Sequence, residues 1–172
     1  MQSFLKVFVD IVLWRKGPQD LPTSRLLVVC TLLAYVLVSV LQLRIMNEST
    51  EAYLLFMLVD PVVLMTWIWV VLKVYGRTER YPQTIAAVLG SSALIGLGSA
   101  PLLVLVGVDV HTPATRATEI LLIGLILVFV LVAGRIVKLA TDSTLFSGFC
   151  IAAVYVFVMN LLAFQIVPNS GT

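Results

Sequence analysis

The chain has 172 residues, of which 60% are hydrophobic and only 12% charged, and its mean hydropathy is +1.08. A water-soluble domain of this length leaves too much of its surface facing solvent to hide that much apolar side chain, so the composition excludes a soluble globular protein and points to bilayer-spanning helices. A formal net charge of +2, with the basic residues spread along the chain, gives no electrostatic footprint for nucleic acid.

The first element is short. Phe4, Val7, Phe8, Ile11 and Val12 recur at the helical spacing i, i+3, i+4, i+7, i+8, with Ser3, Lys6 and Asp10 on the other face. This predicts an amphipathic helix within residues 1–16, lying in the membrane interface and ended by Gly17-Pro18. Asp10 interrupts the apolar stretch and no small-residue cleavage site follows, so the segment is not read as a signal peptide. A plain anchor is its simplest use. Membrane sensing or partner docking are the others.

Five apolar runs follow, at 26–43, 52–75, 83–108, 117–139 and 145–167. About 20 mostly apolar residues cross the hydrocarbon as a helix, and the runs lack the polar/apolar alternation of barrel strands. The predicted fold is therefore all-α: a single transmembrane domain, an integral membrane bundle of five helices with an N-terminal interfacial helix.

With five spans, Lys6, Arg15, Lys16, Arg25, Lys73, Arg77, Arg80, Arg135 and Lys138 share one side, and only Arg44 and Arg116 face the other. An excess of Lys and Arg marks the cytoplasmic side. The expectation is a cytoplasmic N-terminus, an external C-terminus and a bacterial inner membrane.

The second run contains Asp60-Pro61. A carboxylate inside a span costs roughly 2.5–3.5 kcal/mol at the helix centre on insertion scales, so it needs a reason. Asp suits an N-cap and Pro the first helical position. The helix would then break here, with a short outer helix running from Ser49 or Glu51 to Val59, or kink at Pro61. This structural reading is preferred. A hydrogen bond to a partner and a proton or cation site stay open beside it.

The third run is rich in small residues: Ala86-x-x-x-Gly90 and Ser92-x-x-x-Gly96-x-x-x-Ala100. Such spacing lets helices approach closely, so this span is expected to be the enclosed, central one, bent near Gly98 and Pro101. Ser99, Thr118, Asn160 and Gln165 could bond between helices. Glu119 and the pair Arg135 and Lys138 complement the two ends of the fourth helix, and the basic pair can reach lipid phosphates. Cys30 and Cys150 read as small lipid- or helix-facing side chains. His111 has no His or Cys near it in sequence, and no phosphate loop, nucleophile elbow or zinc-protease helix is present. No enzyme, metal or cofactor is expected.

From Tyr75 onward the chain resembles the Yip (Ypt-interacting protein) membrane family, in particular its short bacterial members. The likeness lies in Gly76 and basic residues leading to Tyr81-Pro82-Gln83-Thr84, in the Gly/Ser-rich third run with Pro101 near its end, in Gly134-Arg135 with Lys138, and in the hydroxyl-rich link Thr141, Ser143, Thr144. The resemblance implies a non-enzymatic role in organising membranes or membrane proteins. In eukaryotic members that role includes binding Rab-type GTPases. The long cytoplasmic N-terminal region of those members is not expected here, and Leu89-Gly90-Ser91-Ser92 lacks an aromatic that often follows Gly, so no Rab-binding residue is carried over. The expected partners are the lipid bilayer and other membrane proteins or further copies of the chain. The expected function is a scaffold or accessory subunit. A small ion-coupled transporter using Asp60 and a lipid-remodelling protein are the alternatives.

Overall fold

A computed structural model describes residues 4–45, 51–106 and 113–166, and in them the chain forms six α-helices and no strand. Helix α1 (Phe4–Val12) is followed by a 3-10 turn (Pro18–Asp20), α2 (Arg25–Ile45), α3 (Glu51–Val74), a second 3-10 turn (Thr78–Arg80), α4 (Tyr81–Val106), α5 (Pro113–Thr141) and α6 (Leu145–Ile166). Helices α2 to α6 contain five stretches long and apolar enough to cross a membrane, and the protein is an integral membrane protein. Each predicted span overlaps one of them, with ends that differ by a few residues. The outer ends predicted for the third and fifth spans, Val108 and Val167, lie outside the described residues, as do Ser49 and His111.

Helix α4 is the hub. It packs against α2 on one side and α5 on the other, α6 packs on α5, and α3 closes against α2, α4 and α6. Of its apolar stretch 44% is buried, against 6% for α2, which agrees with the small-residue reading of this span. Ile85, Ala86, Ala87, Val88 and Leu89 are almost wholly enclosed. The small residues admit different neighbours. A Cβ at Gly96 would stand 3.0 Å from Val38 Cγ1 of α2, whereas one at Gly90 would strike the Phe8 ring of α1.

That second contact refines the reading of the N-terminal helix. Phe8 and Ile11 are buried against the bundle, while Leu5, Val9 and Leu13 remain exposed. So α1 is docked on α4 as well as amphipathic.

Helix α3 runs unbroken from Glu51 to Val74 with Pro61 inside it. The expected break, with Asp60 capping a new helix and a short outer helix ending at Val59, is therefore corrected. Pro61 withholds one backbone donor. In hydrocarbon the rest of the backbone has no water to turn to, so the helix carries on through a single lost bond.

Three helix ends on the basic side close in the same way. After α1, α3 and α5 the backbone turns left-handed at Trp14 (φ 64°), Gly76 (φ 68°) and Asp142 (φ 54°). The next amide then bonds back into the last turn: Arg15 N to Asp10 O at 2.8 Å, Arg77 N to Leu72 O at 2.8 Å and Ser143 N to Lys138 O at 3.2 Å. This is the Schellman closure. Gly enters it without steric cost and Asp with little, whereas Trp is unusual there.

Candidate functional site

Asp60 stands in the middle of the bundle beside a largely apolar cleft. Asp60 sits mid-span in α3, one turn before the buried Leu64. The Tyr35 hydroxyl of α2 donates to its Oδ2, and the Tyr155 hydroxyl of α6 donates to its Oδ1 at 2.6 Å. One carboxylate thus ties three spans. One turn on in α2, Ser39 Oγ donates to the Tyr35 backbone carbonyl at 3.0 Å. Of the roles weighed for Asp60, the hydrogen bonds to neighbouring spans are the one seen directly. A carboxylate has room for about four donors, and the tyrosines take two. Among the described residues no Lys, Arg or His forms an ion pair with it.

A second polar group lies beside it. Gln42 of α2 donates through Nε2 to Ser99 Oγ at 2.8 Å and to the Gly96 carbonyl at 3.1 Å, and Ser99 Oγ donates to the same carbonyl at 2.7 Å. The missing side chain at Gly96 is what allows Gln42 to approach. Gly96 therefore has a structural use within the polar cluster.

Two clefts flank these groups. The central one, about 520 Å³, is lined from all five spans, including Asp60, Tyr155, Gln42, Ser92 and Phe129. The second, about 460 Å³, lies between α2, α3 and α6 and is lined by Tyr53, Phe56, Met57 and Asn160 among others. Tyr35, Ser39, Gln42 and Asp60 border both.

The remaining predicted residues fall elsewhere. Pro101 lies inside α4 and is exposed. Gly90 serves the α1–α4 contact. The Arg135 guanidinium stacks on the Trp14 ring at 5.3 Å, its Nη1 is buried without a hydrogen-bond partner, and Lys138 is half-buried one turn on. Ser99 bonds between helices as expected, whereas Asn160 donates to Val156 O of its own helix at 2.8 Å. Cys30 and Cys150 are free and exposed. Among the described residues no group of His, Cys, Asp and Glu is arranged to hold a metal ion.

Sequence reasoning missed Tyr35, Tyr155 and Gln42. A signal was present. Membrane tyrosines favour the two interfaces, and both of these stand near the middle of their spans, where a hydroxyl needs a partner. Gly134 and Gly148 were also missed as a pair. A Cβ on Gly148 would overlap the Gly134 carbonyl oxygen, so α5 and α6 meet backbone to backbone.

Compared with protein-family models, with curated proteins and with solved structures, the chain matches none.

Proposed function

We propose that this integral membrane protein is a non-enzymatic, Yip-like scaffold or accessory subunit that organises other membrane proteins or the shape of the membrane. The observation that carries the reading is the use made of Asp60. Its two oxygens are each taken by a tyrosine from a neighbouring span, so the costly charge in the bundle is spent on holding helices together. The docked N-terminal helix, with Leu5, Val9 and Leu13 exposed, and the wide exposed side of α2 fit a protein that works by contact. The basic end faces the cytoplasm in this reading, in a bacterial inner membrane.

Mild extraction of the native membrane, capture through a C-terminal tag and mass spectrometry of co-purifying chains test the proposal. A stoichiometric membrane-protein partner is expected. Recovery of a monodisperse chain alone would sink it.

One observation favours a second reading, a small ion-coupled carrier: Asp60 borders two clefts at once. Flux through reconstituted vesicles that is unchanged by Asp60→Asn would remove its support.

A further inference from the structure

We propose that the central cleft beside Asp60 is a binding site for a lipophilic organic cation, a molecule with an ammonium- or phosphonium-type centre inside an apolar shell. The inference goes beyond the scaffold reading and does not depend on it.

Charge is the first argument. Asp60 is the acidic side chain on the cleft wall, and the two tyrosines give it hydrogen bonds but no charge partner. None of the residues lining the cleft is Lys, Arg or His. A ligand can bring the missing charge. An anion would face the carboxylate with no positive group to meet it.

The shape of the lining gives the ligand class. About 520 Å³ lies within the range of small-molecule sites. Three aromatic rings, Tyr35, Phe129 and Tyr155, line the same space as the carboxylate. Ring faces attract large, weakly hydrated cations, and the attraction grows where water is excluded. The oxygens on offer are few and mostly engaged with each other: Ser99 Oγ with Gln42 and the Gly96 carbonyl, Asp60 with its tyrosines. A bare metal ion needs a full shell of oxygens to replace its water, whereas an organic cation does not. Leu, Ile and Val side chains make up much of the remaining wall and suit an apolar shell.

The test uses the full chain purified in detergent. Binding of tetraphenylphosphonium is measured by equilibrium dialysis beside tetraphenylborate, an anion of the same shape, with empty micelles subtracted. The expected result is saturable binding of the cation alone, weakened about tenfold or more by Asp60→Asn and also by Ser92→Phe, which fills the cleft while leaving Asp60 in place. Equal binding of the two ions by the unaltered protein would overturn the proposal, and this comparison stands even where a variant fails to fold. Cation binding undiminished in folded Asp60→Asn would overturn it too. Displacement by excess sodium chloride, but not by N-methylglucamine chloride of equal ionic strength, would mean an inorganic cation site and would refute the organic class.

Discussion

The basic end of the bundle and its middle are held together by different chemistry. At the basic end, Arg80, the last residue of the 3-10 turn before α4, places Nη1 3.2 Å from the Leu139 and Ala140 carbonyls and 3.0 Å from Asp142 Oδ1, capping the end of α5. Arg77 Nη2 reaches Asp142 Oδ2 at 2.9 Å, and Gln83 Nε2 reaches the Leu21 carbonyl at 2.7 Å. Charges, helix ends and links interlock there, within reach of water. In the middle, one carboxylate is shared by two tyrosines, one amide reaches a neighbouring helix, and open volume remains beside them. Near water many individually weak bonds can be layered, because each half-exposed group tolerates partial pairing. In hydrocarbon each polar group must be met, so few are used and their geometry decides which helices touch.

The steepest expected loss falls on neither polar region but on the backbone seam beside them. Gly134→Leu would drive a side chain into the Phe149 ring and backbone, and should cost about 3 kcal/mol, read as loss of folded protein in detergent. Such a loss would show that both regions depend on one close helix pair. Next comes the middle. Tyr35→Phe together with Tyr155→Phe leaves Asp60 without its two donors and should lower stability by roughly 1–2 kcal/mol in mixed-micelle unfolding. At the basic end, Arg80→Gln should cost about 1 kcal/mol, because the lost cap is partly replaced by water. An Arg80 loss larger than that of the double tyrosine variant would reverse the comparison.

The smallest effect is in pH. The Arg80 hydrogen bond, opposed by desolvation and helped by the charges of Arg80 and Arg77, holds the Asp142 carboxyl below its ordinary value of 3.8. A lowered folded-state value means that the contribution is fully present above about pH 3.8 and is lost as pH falls through the lowered value. Unfolding midpoints of the unaltered protein should therefore fall a little in acid, and Asp142→Asn should flatten that part of the profile.

The spans were legible because crossing hydrocarbon fixes length and composition. The central place of α4 was legible too, because Ser92, Gly96 and Ala100 have little to gain from facing lipid. The periodicity of Phe4 to Val12 marked α1 as a helix, but that its Phe8 docks at Gly90 depends on a neighbour 82 positions along the sequence numbering. The Asp60 site was half legible. Its cost announced that it needed a partner, but Tyr35 and Tyr155 stand 25 and 95 residues away, and only helix packing brings them together. Of the preferred cap or kink, the cap with a helix break failed because local sequence rules for Asp-Pro describe helices in water. In this span the surrounding bundle supplied the acid with partners and kept the helix whole.

The central claim is that Asp60 acts as a tie between spans, and a double-mutant cycle tests it most directly. Asp60→Asn, Tyr155→Phe and the pair would be compared by reversible unfolding in mixed micelles. The tie predicts that the two losses overlap, with a coupling of about 1 kcal/mol. Additive losses would contradict it, because Tyr155 and Asp60 would then be contributing to the fold independently.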